Sequence, residues 1–269
     1  MENKHYIPLN NLLMTNTRKS NKPVIGVLFD FRPAPKDYPF IQKPTFVYFS
    51  RIAKVFDKLI SKSGGVPFYI DPESAEQDFS FLDGLVIPGG RDIDPAFYNQ
   101  PRSETTKIHP QQNKRFLLMQ KIYSSTSCPV MGICWGLQFL NVSHGGSLVQ
   151  QIPRHPEHLG KQRSFRQQPG SLLHGLLGAE AKGFCYHHQG IATLGENLLA
   201  TSFDSEDSEV HGIELVGSER KVFAVLWHPE FSIDDTTDVP DPNAELFKHL
   251  VKLAEEFRAL KMKVLEPKL

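Results

Sequence analysis

Cysteine is scarce in this chain, with three among 269 residues. An odd and small number of thiols argues against a disulfide scaffold and fits a reducing compartment. Long apolar runs are also lacking, since none approaches the roughly 18 residues that a membrane-spanning helix needs. The polar segment 1–21 lacks the apolar core of a signal peptide. These absences predict a cytoplasmic protein without a membrane partner.

Net charge is lacking as well, because 30 basic and 30 acidic side chains cancel. A balanced chain gives no electrostatic reason to expect a nucleic-acid partner or an anionic membrane surface. The sequence has no internal repeat and no glycine-rich phosphate loop of the Walker type. What remains is a chain with 40% apolar residues, which is enough to build a core.

The apolar segments follow a strand–helix–strand order near the N-terminus. An apolar run at 24–29 predicts a strand, and apolar residues at helical spacing within 46–63 predict a helix that ends at Gly64 and Gly65. A second strand at 66–70 completes a β-α-β unit, which implies a parallel sheet with a right-handed crossover.

The remaining segments extend this pattern into one domain. We predict a single doubly wound, mainly parallel sheet with helices on both faces, an α/β fold of the flavodoxin-like kind. The domain should span 23–258, between a flexible arm at 1–22 and a tail at 259–269. The proline-containing polar segment 151–170 predicts a long loop that could cover a site. Further strands are predicted at 84–87, 182–186, 210–216 and 222–226, and further helices at 115–124, after Cys134 and from Asp241.

A cysteine between two glycines stands in the middle of the chain, in Gly132-Ile133-Cys134-Trp135-Gly136. An apolar run leads into it and a helical pattern follows, which is typical of a nucleophile elbow. The glycines leave room where the backbones crowd. The N-terminus of the following helix favours thiolate over thiol. A buried core cysteine is the plain alternative.

A histidine and a glutamate follow another apolar run, in Trp227-His228-Pro229-Glu230. In an extended segment the side chains of His228 and Glu230 point the same way, and Pro229 favours that conformation at His228. One imidazole nitrogen can then face a thiol while the carboxylate holds the other. Alone, this segment would be typical of a surface turn. Beside a nucleophile elbow it predicts a Cys134–His228–Glu230 triad.

These two segments resemble the class I glutamine amidotransferase superfamily. The resemblance narrows to its γ-glutamyl hydrolase branch (peptidase C26), whose bacterial type is γ-glutamyl-γ-aminobutyrate hydrolase. It covers about residues 23–255. The motifs that carry the narrower resemblance are Cys134 to Gln138, Asn141-Val142, Gly145-Gly146-Ser147-Leu148 and Tyr186-His187-His188-Gln189.

The resemblance implies hydrolysis of the γ-glutamyl amide bond of a small compound through a thioester, without a cofactor. Cys134 would be the nucleophile, His228 the base and Glu230 the residue that orients His228. The N–H groups of Gly90 and Trp135 would form the oxyanion hole, although the glycines before Arg91 are also compatible with an ordinary turn. The resemblance also assigns substrate binding to Gln138, His187, His188 and Gln189.

The double histidine has a plainer explanation as a solvated or core-capping pair. Two residues and one segment also depart from the branch. Trp135 stands where arginine is usual, which predicts an aromatic pocket wall. Cys185 stands where serine is usual, and 109–113 lacks charges that the family places near the mouth of the site.

The segment His155-Pro156-Glu157-His158 contains residue types that could bind a metal. No cysteine or further histidine stands at ligand spacing nearby, and Pro156 forbids an ordinary helix interior. The sequence therefore predicts no metal.

Two other functions stay open. The chain could be a glutaminase subunit that delivers ammonia to a partner synthase, since it has no synthase domain or ATP-binding motif of its own. It could also be a non-catalytic binding protein on this fold, although a reactive thiol beside a base argues against that. Many proteins of this fold pair, so a homodimer is a further expectation.

Overall fold

The computed structural model describes residues 21–28, 44–71, 78–231 and 241–265. Most of the predicted arm at 1–22 therefore lies outside the described residues. The described helices are α1 (Pro44–Lys62), α2 (Pro110–Ser125), α3 (Trp135–Ser143), α4 (Leu172–Leu177) and α5 (Ala244–Leu265). The described strands are β1 (Val24–Leu28), β2 (Val66–Ile70), β3 (Gly84–Ile87), β4 (Val130–Ile133), β5 (Ser147–Val149), β6 (Leu159–Gln167), β7 (Glu180–Tyr186), β8 (Gly190–Thr193), β9 (Leu198–Asp204), β10 (Val210–Leu215) and β11 (Val222–Val225).

A nine-stranded mixed sheet runs through the molecule in the order β2-β1-β3-β4-β11-β10-β9-β6-β7. Neighbouring strands from β2 to β11 are parallel, as the β-α-β unit predicted. From β11 to β7 the pairings are antiparallel. The predicted α/β fold is confirmed, and its parallel half continues into an antiparallel extension. Strands β5 and β8 form a separate pair.

Apolar side chains fill both faces of the parallel half. On β3, Leu85 and Val86 are fully buried and belong to opposite core clusters, because successive side chains of a strand alternate. One cluster includes side chains of α2 and α3, and the other includes side chains of α1 and α5. Because helices cover both faces, the parallel strands are apolar throughout, which is why the sequence identified them.

The segment 151–170 is not the long loop that its polarity predicted. It contains β6, which pairs with β7 on one side and β9 on the other. Arg163, Phe165 and Gln167 are buried on alternate positions, so the strand has period-two burial with a single apolar residue among the three. Arg163 can be buried because its guanidinium donates two hydrogen bonds, of 2.5 and 2.6 Å, to the carboxylate of Asp204.

The C-terminal helix α5 forms ion pairs with a buried carboxylate that also binds the start of β1. The nearly inaccessible carboxylate of Asp83 accepts a 3.0 Å hydrogen bond from the backbone N–H of Val24. The same carboxylate forms ion pairs with Arg258 at 2.9 Å and Lys261 at 2.7 Å. Helix α5 continues to Leu265, so part of the predicted tail at 259–269 is helical and takes part in this contact. No helix in the described part of the chain is long and apolar enough to cross a membrane.

We predict that Asp83→Ala lowers the free energy of unfolding by about 3 kcal/mol, because it removes a buried carboxylate together with its hydrogen bond to Val24 and its ion pairs with Arg258 and Lys261. Urea denaturation would measure the change. Glu245→Ala is the matched control on α5, since it removes an exposed pair with Lys248 and should change stability by less than about 1 kcal/mol. Equal effects of the two substitutions would contradict the prediction.

Candidate active site

Cys134 occupies a strained turn between β4 and α3. Its φ of 51° and ψ of −103° are unusual for a residue with a side chain. A Cβ at Gly136 would lie 2.0 Å from the carbonyl oxygen of Ile87, and one at Gly132 would lie 2.8 Å from the backbone of Gly136. Only glycine fits at either position. The turn is therefore the strand–turn–helix geometry that the glycine–cysteine–glycine pattern predicted.

His228 lies between a thiol and a carboxylate. Its Nδ1 donates a 2.7 Å hydrogen bond to Glu230, and Cys134 is near enough to contribute to the raised pKa of the imidazole. Its backbone N–H donates to the carbonyl oxygen of Phe184 at 2.8 Å. The segment is not extended as predicted, because Pro229–Phe231 forms a 3-10 turn, which brings the carboxylate onto the ring. The structure thus brings all three predicted triad residues together.

The charges around His228 favour its protonated, positively charged form. Burial alone lowers the pKa of His228, but the negative charges of Glu230 and Cys134 outweigh burial and raise that pKa to about 10. An imidazolium next to a cysteine is the arrangement that stabilises a nucleophilic thiolate.

A glycine loop (residues 88–90) follows β3 and lies against both of these elements. A Cβ at Gly89 would be 2.7 Å from Cε1 of His228, and one at Gly90 would be 3.0 Å from Cγ of Trp135. Strands β3, β4 and β11 are neighbours and parallel, so their carboxyl ends meet at one edge. Gly90, Cys134 and His228 converge there.

Trp135 does not form the aromatic pocket wall that we expected. Its side chain is fully buried and packs on Phe116 and Phe139 in the core. The guanidinium of Arg115 lies 4.4 Å above the indole and donates two 3.1 Å hydrogen bonds to carbonyl oxygens of the glycine loop. Tryptophan at this position therefore supports the loop from beneath.

The predicted substrate-binding residues lie in three different surroundings. Gln138 is buried and donates a 3.1 Å hydrogen bond to the carbonyl oxygen of Gln189. His188 is partly exposed and bridges Asp92, at 2.8 Å, and Gln151, at 3.0 Å. Gln189 is buried, and neither polar atom of its side chain has a hydrogen-bond partner within the described ranges.

His187 turns into the protein interior instead. Its ring packs on His158 and His211, with ring centroids 4.9 and 5.0 Å away. Cys185 lies in the same group. Ligand spacing along the sequence around His158 could not reveal this group, because its partners arrive from other strands.

Sequence reasoning missed Asp92, Arg115 and Gln151. Asp92 carried a usable signal, because it follows the predicted strand end at the glycine loop. Arg115 and Gln151 carried none, since the contacts of Arg115 depend on how α2 packs against that loop, and the contact of Gln151 depends on how the segment after β5 meets His188.

Comparison with solved structures places this fold among the glutamine amidotransferases. A putative GMP synthase subunit from Thermoplasma acidophilum superposes with a TM-score of 0.62 and 15% identity, over 90% of this chain and 98% of that one. A glutamine amidotransferase from Thermotoga maritima superposes with a TM-score of 0.52 and 14% identity, over 92% of this chain and 99% of that one. At such identities the likeness concerns the fold.

Comparison of sequences identifies a narrower family than comparison of folds does. The Peptidase C26 family model matches residues 17–230, and the chain belongs to that family. A putative glutamine amidotransferase of Mycobacterium tuberculosis is 37% identical over 212 residues, which cover 74% of this chain and 66% of that protein. Gamma-glutamyl-gamma-aminobutyrate hydrolase of Escherichia coli K12 is 26% identical over 196 residues, which cover 64% of this chain and 76% of that protein.

We predict that Glu230→Gln lowers the pKa of His228 by at least about one unit, because an opposite charge in contact is worth one to three units. Histidine-selective NMR titration would measure the pKa, with His228→Gln to assign the resonance. In the native protein the charged pair contributes to stability at neutral pH, and that contribution is lost as the pH rises through about 10. Glu245→Gln, a surface change, should leave the pKa of His228 unchanged. An unchanged pKa of His228 in Glu230→Gln would contradict the role of Glu230 as its charged partner.

Proposed function

We propose that this protein is a cysteine-dependent hydrolase that cleaves the γ-glutamyl amide bond of a small compound through a thioester. One observation carries the proposal, namely the convergence of Cys134, at a strained strand-to-helix turn, with His228 and its hydrogen-bonded partner Glu230. Membership of the Peptidase C26 family supports hydrolysis as the reaction class.

The reaction has two halves. The Cys134 thiolate attacks the γ-carbonyl carbon, and the tetrahedral intermediate collapses as His228 gives its proton to the leaving amine. Water then attacks the thioester, His228 accepts a proton from it, and glutamate leaves with the thiolate restored. Glu230 keeps the imidazole oriented through both halves.

Backbone N–H groups would hold the oxyanion. Trp135 is the first residue of α3, so its N–H has no acceptor within the helix. Gly90 lies directly beside Trp135, and the guanidinium of Arg115 keeps the glycine loop in place. Donors fixed before the reaction in this way contribute roughly 3 kcal/mol each to transition-state stabilisation in comparable sites.

The glutamyl part of the substrate would bind beside the turn that carries Cys134. Gln138 is one helical turn beyond Cys134 and holds the carbonyl of Gln189. The amide side chain of Gln189 is buried, and neither its donor nor its acceptor has a hydrogen-bond partner among the described residues, which is expected where a ligand completes the hydrogen bonds. His188, held between Asp92 and Gln151, adds a polar group at the rim.

A glutaminase that delivers ammonia to a partner synthase is the second candidate. The glutamine amidotransferase names of the Mycobacterium relative and the Thermotoga structure favour it. The same triad would serve, with ammonia as the leaving group. The two candidates differ in whether the isolated chain turns over γ-glutamyl compounds.

We predict that the isolated chain releases glutamate from at least one member of a panel comprising γ-glutamyl-γ-aminobutyrate, γ-glutamyl anilides, γ-glutamyl peptides, polyglutamylated folate and glutamine. Cys134→Ala should lower the rate by on the order of 10⁴-fold or more, because the nucleophile is lost. Cys128→Ala removes another buried thiol and should keep the activity. No release from any compound would overturn the free-standing hydrolase, and release only with a partner chain would establish the glutaminase.

We predict that Gly90→Ala lowers kcat on the order of 10²-fold with little change in KM, because the oxyanion donor acts in the transition state. The new Cβ would meet Arg115, Gln112 and Trp135 at 2.8–3.0 Å and displace the loop. Steady-state kinetics on the best panel substrate would separate the constants. Gly175→Ala is the control, since its Cβ meets nothing within 4 Å. An effect confined to KM would contradict the assigned role.

A further inference from the structure

Four metal-ligating side chains meet in the antiparallel extension of the sheet. This histidine–cysteine cluster consists of His158 before β6, Cys185 on β7, His187 just after β7 and His211 on β10. One potential ligand atom of each lies within 4.8 Å of all the others. All four residues are buried, and none is more than 4% exposed.

The imidazoles of this cluster have unused nitrogens. His158 donates through Nε2 to Asp207 at 2.9 Å, and its Nδ1 has no partner in the described ranges. His187 donates through Nδ1 to the carbonyl oxygen of Gln189 at 3.1 Å, and its Nε2 likewise lacks a described partner. Neither nitrogen of His211 has a partner in the described part of the chain. Three buried imidazoles with unsatisfied nitrogens need an explanation, since each such group is destabilising.

We propose that the histidine–cysteine cluster is a structural zinc site with three imidazole ligands and one thiolate. Zinc prefers four nitrogen and sulfur ligands in a tetrahedron. On binding, the Sγ–H bond of Cys185 breaks, a Zn–Sγ bond forms and the proton leaves to solvent, with no change of oxidation state. Ligand atoms in such a tetrahedron are about 3.3–3.6 Å apart, so the cluster needs only a modest contraction.

The surroundings match a structural rather than a catalytic zinc. All four positions are supplied by the protein, so no position is open for water or substrate. The carboxylate of Asp207 orients His158 and the carbonyl of Gln189 orients His187. Histidines that bind zinc commonly donate their other ring N–H to a carboxylate or a carbonyl in this way.

Such a zinc would also support the triad. The carbonyl of Phe184 receives the backbone N–H of His228, and the ring of Tyr186 packs edge-on to the His228 imidazole at 5.8 Å. Cys185 lies between these two residues. A metal that joins β7 to β10 and to the start of β6 would therefore fix the position of β7, the strand whose Phe184 carbonyl binds the backbone of His228. This role is positional and does not depend on the proposed reaction.

The test is metal analysis of the full chain purified without a polyhistidine tag. After incubation with zinc and exhaustive dialysis, we expect about one zinc per chain by plasma mass spectrometry. Cys185→Ser and His211→Gln should lose it. Cys134→Ala and Cys128→Ala should keep it, because the first removes the catalytic thiol and the second a buried thiol outside the cluster. Zinc lost in Cys134→Ala but retained in Cys185→Ser would place the metal at the triad and overturn the proposal.

A spectroscopic test does not depend on the folding of cluster variants. Cobalt(II) added to Cys134→Ala should give intense visible bands of a tetrahedral ion together with a thiolate-to-cobalt charge-transfer band. A weak octahedral spectrum, a spectrum without the charge-transfer band, or no uptake of either metal would overturn the proposal.

Discussion

The close approach of α3 to β3 at Gly136 is the constraint on which the site depends. With no Cβ at that position, the helix starts directly against the carbonyl oxygen of Ile87, and the chain has to turn sharply at Cys134. A residue in such a sparsely populated backbone conformation stores roughly 1–3 kcal/mol of strain. The packed cores on both faces of the parallel strands hold that turn in place, so stability elsewhere maintains the strained geometry of the nucleophile.

The two halves of the sheet meet at His228. The parallel half supplies the strand that leads to it, and the antiparallel extension supplies the carbonyl of Phe184 that anchors its backbone. The imidazole then lies between Glu230 and Cys134 without a long loop having to order around it. The base is consequently placed by sheet geometry, whereas the nucleophile is placed by a turn. Both devices are rigid, which suits a site whose donors must be fixed before the reaction.

The parallel half and the triad could be predicted because their signals are local. Apolar runs mark strands buried on both faces, and the glycines around Cys134 mark a crowded turn. Strand β6 could not be predicted, because its burial pattern is carried by Arg163 and Gln167, which sequence rules assign to the surface. The burial of Trp135 also escaped prediction, because it depends on Arg115 packing over the ring from another helix.

The difference between local signals and contacts of distant segments also explains why the sequence did not predict the histidine–cysteine cluster. Its members come from three segments, at the start of β6, at the end of β7 and on β10, and the antiparallel pairing of β6, β7 and β10 through β9 brings these segments together. A core made of polar side chains is stable only when each group finds its partner. Arg163 and Asp204 satisfy one another in this way, whereas the three imidazoles of the cluster keep unpaired nitrogens within the described residues. A zinc ion would bind one nitrogen of each of the three imidazoles and the sulfur of Cys185, and would so supply partners to most of the unpaired groups of this polar core at once.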